Sequence, residues 1–356
     1  MSKSSTLPVV RAIDVGYGHI KYVLRHQFDS GKIECDGFPS RSPISQGFDM
    51  SSGVMSKLDT VTVAVNGKKY EVGKNVIGAE GANDASEILS RDFAISDAYM
   101  ARLYGALSYM LPHLPENRID WLILGLPSLT MNDMAKPLQE KVVGEHVVNV
   151  SGATVEIGQV RVLPQPLGAF FDYGFRQRSL EELKKRVNLI VDPGYNTFDW
   201  MLTQGMAPSN ARSGSVERGM AAVVRAIADS VLRDNKAEAR ASISSVVSRI
   251  DSALCNNESF RLFGNEVDLT KYLSAGDAVI DQAISALEKN VGVGDDIDNI
   301  FLSGGGATIF QKALQAKFPA HKIVKLTDPQ FANVRGFQII GSNWASSAAR
   351  ASAVPA

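Results

Sequence analysis

The sequence predicts an α/β fold with two similar lobes, on three observations. Residues 9–24, VVRAIDVGYGHIKYVL, place an Asp, a Gly and polar residues between two apolar runs. Residues 188–202, NLIVDPGYNTFDWML, repeat that layout about half a chain length later. Strand patterns also alternate with helical patterns in both halves, which is typical of α/β proteins. We therefore expect two lobes that each offer one polar turn to a shared cleft.

The composition is that of an ordinary soluble protein long enough for two domains. The chain has 356 residues, of which 45% are hydrophobic and 21% charged, and its net charge is −1. This charge excludes a chain-wide basic field for nucleic acid or an anionic membrane. No run approaches the ~18 apolar residues of a membrane span, and the N-terminus lacks the apolar core of a signal peptide. The distant cysteines favour a reducing cytoplasm, and the five scattered histidines form no zinc motif.

The first half predicts strands around the first polar turn and then a small β-rich insertion. Two strands should occupy residues 9–33, and the insertion should cover about 31–90. Within it, Asn66-Gly67 between alternating apolar residues is a hairpin signal. Three further elements are expected: a helix at 95–111, a buried strand at 120–127, and a strand, turn and helix at 161–175.

The second half predicts a helical insertion followed by one more strand and helix. Long helical patterns fill about 215–296, and residues 297–318 read as strand, glycine turn and helix. The predicted domain division is lobe I over 1–187, lobe II over 188–345, and a C-terminal tail over 346–356.

The first turn, D-x-G-x-G-x-x-K at 14–21, has residue types suited to a phosphate. Gly16 and Gly18 lack a Cβ, so backbone N–H groups there can approach phosphate oxygens. Asp14 would hold Mg²⁺ through water, and Lys21 would neutralise a β- or γ-phosphate. The alternative is a tight hairpin with an exposed lysine, which is the commoner meaning of such a motif taken alone.

The second turn, D-x-G-x-x-T-F-D at 192–199, aligns with the first. Asp192 takes the place of Asp14, Gly194 that of Gly16, and Asp199 that of Lys21. It thus adds a second carboxylate and a hydroxyl. The alternative is an ordinary turn closed by side-chain-to-backbone hydrogen bonds.

Two further segments carry residues suited to a nucleotide site. SGGGA at 303–307, the glycine turn, lies between a strand and a helix, where a flat ligand can approach the backbone and the helix N-terminus favours an anion. Gln165 lies between two prolines, and its neutral amide can orient a water for attack on a γ-phosphate but is no strong base. A strained strand-to-helix turn and a loop glutamine are the structural alternatives.

The order of these four motifs resembles that of the actin/Hsp70/hexokinase ATPase superfamily. The chain resembles more finely the ParM/StbA-type plasmid-segregation actins, and among them the plasmid-borne group called PRTRC system protein D. The finer resemblance spans nearly the whole chain. It is carried by YEVGKN at 70–75, LGLP at 124–127, LPQPLGAF at 163–170 and DPQFANVRGF at 328–337.

The resemblance implies an actin-like (ribonuclease H-like) two-lobed ATPase fold with four subdomains and a central nucleotide cleft. It implies ATP as the ligand, with GTP as the alternative, and Mg²⁺ held through water by Asp14 and Asp192. Gln165 would act with these two aspartates in catalysis by positioning water, although ParM-type proteins commonly carry Glu there. The implied phosphate contacts are Gly16, Tyr17, Gly18, Lys21, Gly194, Tyr195, Asn196 and Thr197. The implied adenosine contacts are Gly304, Gly305 and Gly306, with Asn333 as a further nucleotide-binding residue near them. The two tyrosines are bulky where the family commonly has small residues, so they either touch phosphate or merely pack.

The function implied by the resemblance is a cytoplasmic, nucleotide-dependent filament that moves or stabilises plasmid DNA. Its partners would be further copies of the chain and a DNA-binding adaptor, with no direct contact to nucleic acid or membrane. Two alternatives stay open. One is a small-molecule kinase of the same superfamily, with Asp199 as the remaining candidate base, and the other is a regulatory protein that binds ATP without forming filaments.

Overall fold

The computed structural model describes residues 7–27, 31–45, 58–76, 92–256 and 258–353. Within these ranges the chain forms two six-stranded mixed sheets with helices around them, plus two small hairpins. One large sheet comes from each half of the chain, as the repeated turns predict. The predicted α/β class is confirmed.

The first half builds its sheet around β1 and β6. All six residues of β1 are buried, and the last five residues of β6 are buried as well, as expected of central strands covered on both faces. The elements of this half are β1 Val10–Val15, β2 His19–Gln27, β3 Lys32–Pro39, β4 Thr60–Val65, β5 Lys68–Gly73, α1 Asp97–Met110, β6 Arg118–Leu126, α2 Met131–Val142, β7 Gly144–Val147, β8 Thr154–Pro164, α3 Gln165–Arg176 and α4 Leu180–Leu183.

The first sheet brings three strand ends to one edge. Its order is β3-β2-β1-β6-β8-β7, with β1, β6 and β8 parallel to one another. The carboxyl ends of parallel strands meet at the same edge of a sheet, which is where α/β proteins bind ligands. Asp14 near the end of β1 and Gln165 directly after β8 therefore lie close together.

The second half repeats this arrangement with β9 and β15 at its centre. Its elements are β9 Val187–Pro193, β10 Phe198–Gln204, β11 Ala207–Pro208, β12 Gly214–Val216, α5 Met220–Asp234, α6 Ile243–Asn256, β13 Phe260–Leu262, β14 Asn265–Val267, α7 Asp277–Val291, β15 Asn299–Leu302, α8 Ala307–Lys317, β16 Ile323–Lys325 and α9 Ala332–Ala353. The sheet order is β11-β10-β9-β15-β16, and β12 pairs with β10. Strands β9, β15 and β16 are parallel, so Asp192 and Ser303 lie at one edge.

The segments predicted as insertions and tail differ in detail from the pattern-based expectation. β3 pairs with β2, so the main sheet extends to Pro39, inside the segment 31–90. β4 and β5 form the expected hairpin, with positive φ at Asn66 and Gly67; residues 46–57 and 77–91 of this insertion lie outside the described residues. The segment 215–296 contains the hairpin β13–β14 besides its helices. α9 continues through the predicted tail to Ala353.

Two helices, α3 and α9, each follow one large sheet in the chain but pack against the other sheet, so the two halves exchange a helix. α3 follows the first sheet in the chain, yet Phe170 packs on Ile190 and Phe301 of the second sheet. α9 ends the second half, yet Phe337 packs with Val10 and its neighbours on the first sheet. The exchange ties the two sheets together. It also carries the first residues of both helices to the edges that hold the two polar turns.

Candidate functional site

The first turn buries a carboxylate opposite a lysine. Asp14 is fully buried and pairs with Lys21 across β1 and β2. The Lys21 Nζ lies 3.3 Å from Asp14 Oδ2, with about a fifth of its side chain exposed. A Cβ on Gly16 would lie 2.7 Å from the carbonyl oxygen of His19, which only glycine avoids. The turn is thus a tight hairpin, as the structural alternative proposed, but its lysine bonds the buried Asp14.

The second turn buries two carboxylates. Asp192 and Asp199 pair directly across β9 and β10, and both are less than 5% exposed. The Thr197 hydroxyl donates to Asp199 Oδ2 at 2.6 Å, and the Gly194 N–H donates to the Thr197 carbonyl at 2.8 Å. The carbonyls of Gly194, Tyr195 and Asn196 accept N–H groups from residues 219–221 at the start of α5. The turn is therefore fixed to the helical segment that follows it.

The two turns lie against each other. A Cβ on Gly18 would lie 2.7 Å from Tyr195 Cβ, so the turns meet at this glycine. The Tyr17 ring packs on Phe93 with centroids 5.2 Å apart. Burial raises the pKa of Tyr17 to about 12, with the negative charges of Asp199 and Glu217 adding to the effect. The Tyr17 hydroxyl therefore keeps its proton near neutral pH. Both tyrosines pack within the protein at the junction of the turns.

Gln165 is bonded to the first carboxylate. It is the first residue of α3, and its Nε2 donates to Asp14 Oδ1 at 2.7 Å. The carboxylate can only accept here, so it fixes the orientation of the amide. The side-chain oxygen of Gln165, Oε1, is left as the acceptor that a ligand or water can use. Sequence reasoning selected this residue, and the structure brings it to Asp14.

The three glycines of the glycine turn have different surroundings. A Cβ on Gly304, whose φ is +80°, would lie 2.3 Å from Asp192 Oδ1. The Gly306 N–H donates to the Pro193 carbonyl at 2.9 Å. Gly305 is exposed, and a Cβ there would meet nothing within 4 Å. Gly304 and Gly306 thus pack the glycine turn onto the second turn, and Gly305 presents open backbone.

Asn333 contacts the second carboxylate. It lies in the first turn of α9, is 5% exposed, and its Nδ2 donates to Asp192 Oδ2 at 2.7 Å. Burial raises the pKa of Asp192 above its ordinary value. The hydrogen bond from Asn333 lowers this pKa in part, and the negative charge of Asp14 raises it further. The resemblance placed Asn333 near the adenosine contacts, whereas its amide lies on a carboxylate.

Asp199 is a buried residue of the second turn that the sequence analysis named only as the candidate base of the kinase alternative. Its Oδ1 accepts from the Ser128 N–H at 3.1 Å, across the two halves, and its Oδ2 accepts from Thr197. Burial raises its pKa to about 7 despite the Thr197 bond, with the charge of Asp192 adding to the shift. The alignment of Asp199 with Lys21 was the available signal. It places a residue opposite Asp192 just as Lys21 lies opposite Asp14.

The comparisons with known proteins agree with this geometry. Residues 12–168 match the family model of the N-terminal domain of actin-like proteins. Residues 190–316 match the C-terminal model of an archaeal actin homologue described as MreB-like. The chain belongs to the actin-like proteins. No curated protein is significantly similar to it in sequence.

Solved structures of other actin-like proteins share the fold over nearly the whole chain, which confirms the predicted two-lobed actin-like fold. The archaeal actin homologue Ta0583 in complex with ADP is 19% identical with a TM-score of 0.68, over 94% of this chain and 99% of that one. A 15-stranded ParM filament from Clostridium botulinum is 19% identical with a TM-score of 0.72, over 95% and 100%. An AlfA filament bound to AMPPNP is 16% identical with a TM-score of 0.59, over 96% and 99%.

The actin-like site has donor groups that suit a hydrated magnesium ion. Among the residues with described positions, no three His, Cys, Asp or Glu side chains come together as a direct metal site. Mg²⁺ usually keeps several waters and takes one or two carboxylates, which Asp14 and Asp192 can supply. Asp192 Oδ1 packs against Gly304, where a Cβ would lie 2.3 Å from it, and the open backbone lies at the next residue, Gly305. The residues present therefore fit an ion held through water.

Proposed function

We propose that this actin-like protein binds Mg-ATP between its two lobes and hydrolyses it by direct attack of water. Lobe I would comprise residues 1–187 and lobe II residues 188–345, as the sequence predicts. The observation that carries the proposal is that two glycine-containing turns lie against each other. In each turn a buried aspartate accepts a 2.7 Å hydrogen bond from a side-chain amide. Such a pair suits a polyphosphate with its cation better than it suits a neutral ligand.

The phosphates would lie along the two turns. Lys21 is partly exposed beside Asp14, so its ammonium can reach a β- or γ-phosphate while its own charge stays balanced. Asp14 and Asp192 would hold the water shell of Mg²⁺, which when bound neutralises phosphate charge. The adenosine would approach the open backbone at Gly305, whose surroundings leave room for a flat group. GTP remains the alternative nucleotide.

Gln165 would position the attacking water. Its amide donor is committed to Asp14, and its carbonyl oxygen can accept a hydrogen from a water near the γ-phosphate. A neutral amide cannot remove a proton at pH 7, so its contribution is orientation. This role resembles that expected where an actin-like protein carries Gln instead of Glu.

The nucleotide would control self-association into filaments for plasmid segregation in the cytoplasm. The fold is shared with filament structures of ParM from Clostridium botulinum and of AlfA. A net charge of −1 argues for a DNA-binding adaptor rather than direct contact with DNA. Within the described ranges, no helix is long and apolar enough to cross a membrane.

The kinase alternative is weakened by the position of Asp199. A kinase base must reach an acceptor hydroxyl, yet both Asp199 oxygens already accept hydrogen bonds and the residue is 1% exposed. Its pKa of about 7 alone would suit a base. The hydrogen bonds of the carboxylate to Thr197 and Ser128 support the hydrolysis proposal over the kinase alternative.

The experiment combines light scattering, phosphate release and electron microscopy on the full chain. Mg-ATP and Mg-AMPPNP should raise scattering and give filaments, and Mg-ATP alone should release phosphate. Glucose and acetate serve as acceptors in parallel reactions. ADP formation that requires an acceptor would favour the kinase, and nucleotide binding without phosphate release or filaments would favour the regulatory binder.

A further inference from the structure

The two turn aspartates carry matching amide partners. Gln165 Nε2 donates to Asp14 Oδ1 at 2.7 Å, and Asn333 Nδ2 donates to Asp192 Oδ2 at 2.7 Å. In both pairs the aspartate belongs to a turn in one half, and the amide comes from the first turn of a long helix. The pairs are therefore equivalent parts of the repeated architecture.

The two amide-bearing helices touch one turn beyond the amides. Gly168 follows Gln165 by three residues, and Gly336 follows Asn333 by three. A Cβ on Gly168 would lie 2.3 Å from the Asn333 carbonyl oxygen, and a Cβ on Gly336 would lie 1.8 Å from the Gly168 carbonyl oxygen. Positions i and i+3 share a helix face, so each amide and its glycine point the same way. The crossing of α3 and α9 therefore fixes the two amides relative to each other.

A side-chain amide holds a carboxylate without cancelling its charge. A lysine or arginine in the place of Asn333 would offset the negative charge of Asp192, as Lys21 does for Asp14, and the offset carboxylate would attract a metal ion less strongly. The amide instead supplies a hydrogen bond to one oxygen and leaves the negative charge for a metal. Asp192 Oδ1, the other oxygen, packs against Gly304, so the carboxylate is held between Asn333 and the glycine turn.

We propose that Asn333 is a positioning residue of the magnesium site: its amide orients the Asp192 carboxylate, and it does not contact adenosine. Its Oδ1 is buried and has no hydrogen-bond partner, and the residue is 5% exposed, so the side chain is enclosed by protein. Gln165 is more exposed, so it can serve both Asp14 and a water. The inference rests on the proposed Mg-ATP function and deepens it.

The test is the Mg²⁺ dependence of nucleotide affinity in Asn333→Ala. ATP affinity is measured by calorimetry with Mg²⁺ and with excess EDTA. Loss of a residue that orients a metal ligand typically costs 10- to 100-fold in metal affinity. The Mg²⁺-dependent gain in ATP affinity should therefore fall by roughly that factor, while Mg²⁺-free affinity stays at the wild-type value.

Gln338→Ala is the matched control on the same helix. Gln338 is fully buried, and its Nε2 donates to the Val10 carbonyl at 3.1 Å, so its loss destabilises α9 without touching Asp192. This variant should unfold at a lower temperature and keep the wild-type Mg²⁺ dependence. Asn333→Leu keeps the branching and the number of heavy atoms of the side chain and, like alanine, removes the amide donor and the unpaired oxygen, so it replaces the alanine variant if that one does not fold.

Two results would overturn the inference alone. Equal loss of affinity with and without Mg²⁺ would mean that Asn333 contacts the nucleotide. An unchanged Mg²⁺ dependence would mean that Asp192 needs no support from it. If wild-type protein itself shows no Mg²⁺-dependent ATP binding, the proposed function fails, and the inference fails with it.

Discussion

Replacing Gln165 with alanine separates water positioning from nucleotide binding. The substitution removes the 2.7 Å hydrogen bond from Gln165 Nε2 to the buried Asp14 carboxylate, and it also removes the side-chain oxygen of Gln165. It leaves both turns and the glycine turn unchanged. If the positioned water supplies about 1.4–4 kcal/mol of transition-state stabilisation, turnover should fall roughly 10- to 1,000-fold. ATP affinity should stay close to that of the wild type.

The assay pairs phosphate release with filament decay after ATP is depleted. Slow hydrolysis keeps protomers in the ATP state, so filaments of Gln165→Ala should last longer. Gln177→Ala is the matched control, since Gln177 lies exposed at the other end of α3. It should leave both measurements unchanged, which separates the amide at Asp14 from any general effect of shortening a glutamine on this helix.

Wild-type rates in both measurements would remove Gln165 from the active site. Slow release with normal decay would keep its catalytic role and reject the link between hydrolysis and disassembly. Gln165→Glu adds a further check. The substitution removes the amide that donates to Asp14 at 2.7 Å and puts a second carboxylate in its place, which would repel Asp14. ATP hydrolysis by this variant should therefore be slower than by wild type, despite the Glu found in ParM-type proteins.

Three further predictions concern charges around the site. Asp192→Asn and Asp14→Asn should each weaken Mg-ATP binding in calorimetry with an unchanged circular dichroism spectrum; unchanged affinity would reject their metal role. Burial raises the pKa of Asp199 to about 7 from 3.8, so its contribution to stability is full below about pH 4 and is lost as pH rises through 7. Without metal, the melting temperature of Asp199→Asn should therefore fall less between pH 5 and pH 8 than that of the wild type. Equal falls in melting temperature would contradict a raised pKa of Asp199. Arg335→Met leaves the buried Asp172 carboxylate without its two bonds of 2.6 and 2.8 Å, so urea unfolding should show a loss of about 3–5 kcal/mol, which Asp172→Leu in the same chain should largely restore.

Local pattern was enough to predict much of the fold. A continuous apolar run ending in Gly and Pro gave the buried strand β6, and Asn66-Gly67 gave a hairpin with positive φ at both residues. The repeat of the polar turns predicted one large sheet per half. Each of these features depends on neighbours in sequence, so the sequence carries the signal directly.

The rest depends on contacts between distant residues. The Asn333–Asp192 bond joins residues 141 positions apart, and the Ser128–Asp199 bond joins residues 71 positions apart. No periodicity reveals that α9 packs on the first sheet, because its apolar face would suit either sheet. The family resemblance named Asn333 as a site residue, but only the position of α9 shows which group it meets.

The two turns of the repeat differ most at one pair of equivalent positions. Lys21 lies opposite Asp14, whereas Asp199 lies opposite Asp192. The first turn therefore balances its buried carboxylate with a cation, and the second turn places two carboxylates together, where burial and mutual repulsion both favour a proton. A bound cation would relieve that repulsion at the second turn, and Lys21 would be left to meet phosphate oxygens. In the proposed function, this difference between two otherwise similar hairpins would give the first lobe the ammonium that meets phosphate oxygens and the second lobe the larger share of the negative charge around Mg²⁺.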